Sequence, residues 1–93
     1  MGVVVDVHAH VVVPSVENLT ADAPGRRGSA LRAERVQGAE SARVTAAMAV
    51  ARMPLMTDVD HRIAAMDAAG VDVQVISLSP AQYHSWTPPA LAR

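Results

Sequence analysis

The chain has 93 residues, a formal net charge of -1 and 51% hydrophobic residues, which is enough for one small domain. Its eight basic residues are all arginine and are scattered among nine acidic ones, which excludes a nucleic-acid-binding stripe and a polybasic membrane anchor. Cysteine is absent, which excludes disulfides and thiolate metal sites. No apolar stretch approaches the roughly 20 residues of a membrane span, and no basic signal-peptide region is present. We therefore predict a cytoplasmic protein without nucleic-acid or membrane partners.

The first predicted element is a strand over residues 3 to 13, which are rich in valine and end at Pro14. This composition is typical of a strand that is buried on both faces of a parallel sheet. Residues 15 to 29 contain a proline and two glycines that interrupt every helical period, and they predict a loop. Residues 30 to 52 are rich in alanine and favour a helix, although Gly38 and two β-branched residues weaken that prediction.

A clearer helix follows, from about Asp58 to Ala69, with apolar residues at i, i+4 and i+7. Thr57 is its predicted N-cap, and Gly70 supplies the left-handed residue that commonly closes a helix. Residues 71 to 79 alternate apolar and polar side chains and then become apolar, which predicts a second strand that ends before Pro80.

The order strand, helix, strand predicts a right-handed crossover with parallel strands, and therefore an α/β fold. Thr87 and Pro88 then favour the start of another helix just before Arg93. A lone pair of parallel strands leaves both sheet edges unpaired, which is a poor basis for independent stability. We therefore expect residues 1 to 93 to be a single partial domain, the first βαβ unit of a larger architecture, with an insertion at about 14 to 57.

Two of the four histidines, His8 and His10, lie one residue apart at the end of the first strand. Strand alternation places them on one face together with Asp6. Their backbones are about 6.6 Å apart, a gap that two imidazoles can close until each nitrogen lies roughly 2.1 Å from one metal ion. Solvent-exposed or structural histidines are the alternative interpretation. Asp6 could orient a ligand imidazole or, equally, bind a backbone amide.

These residues, D6-V-H-A-H10, and the stretch LMTDVDHRIAAMDAAGVDVQVISLSP at 55 to 80 together resemble the amidohydrolase superfamily. The similarity is greatest to the amidohydrolase-2 branch, which contains aminocarboxymuconate-semialdehyde decarboxylase and related aromatic-acid decarboxylases. It covers residues 3 to 14 and 55 to 93. The resemblance implies a (β/α)8 TIM barrel, which needs around 250 residues. This chain would supply its amino-terminal portion, so the barrel would be incomplete.

The resemblance also implies a divalent metal ion, usually zinc, with His8 and His10 as two ligands. In that family a further His and an Asp follow on later strands, which would lie beyond Arg93. The metal would polarise a substrate oxygen or lower the pKa of bound water to near 7. The implied enzyme is a hydrolase or a non-oxidative decarboxylase of a small unsaturated or aromatic carboxylic acid. No general base is assigned, and we expect the 93-residue chain alone to show little or no catalysis.

Two residues are predicted to bind the substrate. Arg52 precedes the clearer helix where related decarboxylases carry an arginine that contacts the substrate carboxylate, although its register differs by about one residue; a solvated arginine is the alternative. Trp86, with Tyr83 and His84, follows the second strand and could wall a pocket for a flat substrate, or could pack beneath the rest of a barrel.

A non-enzymatic role is the alternative for the whole chain. It would then be a remnant or an interaction fragment that pairs its open strand edges with another chain. The partner would be a second copy, which gives a homo-oligomer, or a complementing barrel remainder.

Overall fold

The computed structural model describes residues 2 to 93 and shows a mixed α/β fold. The elements in chain order are β1 (Val5–Val11), α1 (Pro14–Thr20), α2 (Arg26–Gln37), α3 (Ala39–Thr57), α4 (Val59–Ala69), β2 (Val73–Leu78), a 3-10 turn (Pro80–Gln82) and α5 (Pro89–Ala92). The two strands pair in parallel, which confirms the predicted parallel pairing and the α/β class. Within the described residues, no helix combines the length and the apolar character that a bilayer span requires.

One face of the two-stranded sheet is covered and the other is open. The end of α3 and the inner side of α4 lie against the face that carries Asp6 and Gln74. On the other face, Val5, Val73 and Val75 are about half exposed, and no apolar side chain of residues 2 to 93 is fully buried. The radius of gyration is 15.8 Å, whereas a compact domain of this length would have about 12 Å. The chain therefore forms two layers, a sheet and its helices, without the layer that normally covers the second face of a parallel sheet.

A β-bulge interrupts β1 between Asp6 and His10. The Cα partners are Val5 with Val73, Asp6 with Gln74, Ala9 with Ile76, His10 with Ser77 and Val11 with Leu78. Three residue steps on β1 thus match two steps on β2, and one extra residue is accommodated beside Val7 and His8. Asp6 lies with Gln74 on the helix-covered face, whereas His10 lies with Ser77 on the open face. The prediction that Asp6 shares a face with the histidines is wrong, because the bulge reverses the alternation.

The segment between β1 and α4 is helical almost throughout. The predicted loop at 15 to 29 is wrong, since it contains most of α1 and the start of α2. Gly25, with φ of 93°, makes the turn into α2 that a side chain would strain. The helix expected at 30 to 52 is present but divided into α2 and α3 at Gly38, whose φ is 86°. The glycines in this segment therefore lie at helix boundaries and do not exclude helical structure.

The N-cap of α4 lies one residue later in the chain than predicted. Asp58 is the N-cap, and its Oδ1 accepts hydrogen bonds from the backbone amides of Asp60 and His61 at 2.9 and 3.2 Å. Thr57 was the predicted cap, but it belongs to α3 and donates its hydroxyl to the carbonyl of Met53. At the other end, Gly70 has φ of 69°, and the predicted left-handed closure is confirmed.

The N-cap of the last helix, α5, also lies one residue later in the chain than predicted. Pro88 precedes α5 as its N-cap residue, and Pro89 occupies the first helical position. Thr87, predicted to be the cap, instead donates its hydroxyl to the carbonyl of His84 at 2.8 Å. Its side chain therefore stabilises the turn before the helix and does not cap the helix itself.

Candidate metal centre

The imidazoles of His8 and His10 converge on the open face of the sheet. Their Nε2 atoms are 3.2 Å apart, and the ring planes are nearly perpendicular, with centroids 5.0 Å apart. A cation about 2.1 Å from both nitrogens would bind them at an N–metal–N angle of about 100°, close to tetrahedral. The same separation allows one ring to donate an N–H to the other when no cation is bound. The pair can therefore share either a proton or a metal ion.

His10 is oriented by the neighbouring strand. Its Nδ1 lies 3.1 Å from the Oγ of Ser77, the residue directly opposite on β2. When Nδ1 carries the proton and donates it to Ser77, the Nε2 lone pair is free for a metal ion. Between residues 2 and 93 no group of three or more His, Asp or Glu side chains is arranged to hold a cation. The described residues thus bring two imidazole nitrogens together at this position.

A hydrogen-bonded network lies behind the histidines, on the helix-covered face. The Oδ1 of Asp6 accepts the backbone amide of His8 at 3.0 Å, and its Oδ2 accepts the Nε2 of Gln74 at 2.9 Å. Arg62 on α4 donates to the Oε1 of Gln74 and to the carbonyl of His10, both at 2.7 Å. The Gln74 hydrogen bond, followed by the His8 amide, lowers the pKa of Asp6 below its ordinary value. Asp6 therefore binds a backbone amide, which is one of the two roles that the sequence left open.

A second polar cluster lies beyond the ends of the strands, and we call its four members, Glu17, Arg26, Gln82 and His84, the Glu17 cluster. Oε1 of Glu17 accepts the Nε2 of Gln82 at 2.9 Å and faces the Nε2 of His84 at 3.2 Å, while Oε2 pairs with Arg26. Gln82 and His84 are only 4% and 9% exposed. Hydrogen bonding from Arg26, more than that from Gln82 and His84, lowers the pKa of Glu17. No local sequence pattern predicts this cluster, since Glu17 and Gln82 are 65 positions apart.

Gln82 extends the pairing of β1 beyond the end of β2. Its Oε1 accepts the backbone amide of Val13 at 2.7 Å, and its Nε2 donates to the carbonyl of the same residue at 3.0 Å. The side-chain amide thus satisfies a backbone donor and acceptor as a neighbouring strand would. The segment after β2 is thereby fixed to the start of α1.

Neither of the two predicted substrate-binding residues forms a hydrogen bond or a ring contact with His8 or His10. Arg52 lies on an exposed side of α3, the helix that precedes α4. Trp86 contacts the edge of His84, with ring centroids 5.3 Å apart, and lines a cleft of about 430 Å³ with Arg26 and Tyr83. Substrate binding by both residues stays a prediction, and Trp86 belongs to the surroundings of the Glu17 cluster.

Comparison of the chain with protein-family models, with curated proteins and with solved structures gives no match. The features of this chain that bear on function are therefore geometric. They are the convergent histidines, their partner Ser77 and the hydrogen-bonded network behind them.

Proposed function

We propose that His8 and His10 are two ligands of a divalent metal ion, zinc, in an enzyme of the amidohydrolase type. The observation that carries this proposal is the convergence of their Nε2 atoms to 3.2 Å on the open face of the sheet. The hydrogen bond between Ser77 and the Nδ1 of His10 supports it, because Ser77 holds the ring by the nitrogen that faces away from His8 and can accept the proton of Nδ1.

The position of the pair in the fold supports the same proposal. His10 is the penultimate residue of β1, and in parallel α/β folds ligands bind at the carboxyl ends of the strands. In a (β/α)8 barrel the helices lie outside and the opposite sheet face forms the interior. In this chain the end of α3 and the inner side of α4 lie against the face opposite to the histidines. We propose that the chain forms the amino-terminal portion of such a barrel, with the half-exposed valines covered by further strands.

A metal ion held there by His8 and His10 would supply Lewis-acid chemistry toward a substrate oxygen or a bound water. The histidines would serve as ligands and not as proton carriers, since both metal-facing nitrogens are occupied. The substrate class is a small unsaturated or aromatic carboxylic acid, with hydrolysis or non-oxidative decarboxylation as the reaction. A zinc enzyme site has three protein ligands and one open position. The rest of the barrel would supply the further protein ligand that residues 2 to 93 lack. The chain alone is expected to bind zinc weakly and to show little turnover.

A second candidate function is interaction with another chain. It is favoured by the two unpaired edges of the sheet and by the absence of a fully buried apolar side chain in residues 2 to 93. Strand pairing with a second copy or with a barrel remainder would cover these edges. Gel filtration of the 93-residue chain distinguishes the metal site from interaction with another chain. A concentration-dependent dimer whose formation is unaffected by zinc supports interaction without a metal role.

Zinc titration followed by NMR of the imidazole Cε1–Hε1 resonances tests the metal proposal. We expect zinc to shift the resonances of His8 and His10 and to leave those of His61 and His84 unchanged. Removing either ligand, with His8→Ala or His10→Ala, should weaken zinc binding by more than about 100-fold, the upper range for changes in outer-shell partners.

His61→Ala is the matched control, because His61 is exposed and pairs only with Asp58 within the described residues. It should bind zinc as the unaltered chain does. Equal zinc affinity of the His8→Ala, His10→Ala and control proteins would overturn the proposed metal site.

A further inference from the structure

We infer that Asp6, Gln74 and Arg62 act as a positioning relay, which aims the two histidines by holding their backbone from the opposite face of the sheet. The inference rests on the proposed metal site, and it assigns to these three residues a role in ligand geometry. None of them faces the metal position, so none is proposed as a ligand.

The bulge in β1 determines on which face of the sheet the side chains of His8 and His10 lie. In a regular strand, side chains two positions apart share a face, so His8 and His10 would follow Asp6 onto the helix-covered side. The extra residue beside Val7 reverses this, and both imidazoles lie on the open face. Neither Val7 nor His8 has a partner residue on β2, and the His8 amide instead donates to Asp6. The carboxylate thus stabilises the bulge that directs the histidines.

Arg62 fixes the other end of the His8–His10 segment, at the carbonyl of His10. One arm of the Arg62 guanidinium donates to the carbonyl of His10 and the other to Gln74, which in turn donates to Asp6. Guanidinium donors bond more strongly than neutral ones, and their fork fixes two acceptors relative to each other. The His8 amide and the His10 carbonyl are therefore both anchored to α4 through a single chain of hydrogen bonds. This anchoring sets the distance between the imidazoles before a cation arrives.

Preorganisation of this kind contributes to metal affinity. Partners behind metal ligands typically change affinity by 10 to 100-fold when they are replaced. A relay that acts on two ligands at once is expected to fall within that range. A merely structural role would lower the unfolding temperature and leave the zinc affinity of the folded chain unchanged.

The test uses Arg62→Met and Gln74→Met in the 93-residue chain, with zinc as the probe under conditions where each variant is folded. We expect zinc affinity to fall by about 10 to 100-fold in both. The His8 amide should exchange faster with solvent, and the NMR contact between the His8 and His10 rings should weaken in the metal-free protein. Arg43→Met is the matched control, because Arg43 is exposed and pairs with Glu40 on α3; it should change neither readout.

Arg62→Lys keeps the charge but loses the fork, and it should restore only a minor part of the affinity. It also carries the test if Arg62→Met does not fold. The metal-free readouts separate this inference from the proposed function, since they respond to the relay even if the unaltered chain binds no zinc. Unchanged zinc affinity together with unchanged ring contacts and His8 exchange in the Arg62 and Gln74 variants would overturn the relay.

Discussion

The two histidine sites of this chain lie near the same ends of the strands but differ in how their polar atoms are satisfied. His84 is buried in the Glu17 cluster, where a carboxylate faces its Nε2 and Gln82 binds both the carboxylate and the backbone. His8 and His10 lie on an open face, and the atoms that face each other are both nitrogens. Buried polar groups with full sets of protein partners stabilise a fold, whereas two convergent ring nitrogens can bind a metal ion in place of a shared proton. The difference agrees with a structural role for the first site and with the metal site proposed for the second.

Removing Gln82 should give the largest loss of stability. Gln82→Ala leaves the Val13 amide and carbonyl without their partner and removes one of the two partners of the Glu17 Oε1, and we expect the free energy of unfolding to fall by about 3 kcal/mol. Urea unfolding measures this loss. His8→Ala is the control from the other site, and because His8 is exposed it should change stability by less than about 0.5 kcal/mol. Similar losses in the two variants would remove the distinction between the sites.

A smaller effect is expected at Gly25, which packs against the Glu17 cluster through Trp86. A Cβ on Gly25 would lie 3.3 Å from the Cε3 of Trp86 and would have to adopt a φ of 93°. Gly25→Ala should therefore cost about 2 kcal/mol in thermal or urea unfolding. Gly28→Ala is the matched control inside α2, where nothing lies within 4 Å, and it should stabilise the chain by about 0.5 kcal/mol. A stabilising Gly25→Ala would contradict the tight contact with Trp86.

The smallest effect should appear in the pH dependence. The pKa of Glu17 is lowered from 4.5 in the folded chain, so its ionised form favours folding above that value. The contribution is lost as the pH falls through the lowered folded pKa. We expect the urea midpoint to decrease as the pH falls below the ordinary pKa of 4.5, and to decrease less in Glu17→Gln. Asp6 and Asp58 titrate in both proteins, so the difference isolates Glu17, and identical pH profiles would contradict its role.

Features set by neighbouring residues could be predicted from the sequence. The valine runs located both strands to within two residues, and Gly70 marked the end of α4. The Asp58 cap was missed by one position, because Thr57 and Asp58 are both good caps and only the preceding helix α3 decides between them. The loop predicted over residues 15 to 29 is wrong, since the glycines there allow the turn into α2 as readily as they allow a loop.

Features that depend on distant partners could not be predicted. The convergence of His8 and His10 followed from their spacing, but the position of Asp6 did not, because the bulge is defined only by the register against β2. The Glu17 cluster joins residues from α1, the start of α2 and the segment after β2, and no spacing pattern connects them. Pairing across the fold, and not composition, determines these contacts.

The bulge in β1 has a consequence for transplanting this motif into other proteins. A His-x-His triplet copied alone onto a straight strand would keep its spacing but would inherit whichever side its register dictates. The aspartate two positions ahead and the unpaired extra residue would have to be transferred with it, together with a neighbouring strand whose register accommodates the bulge and whose glutamine holds the aspartate.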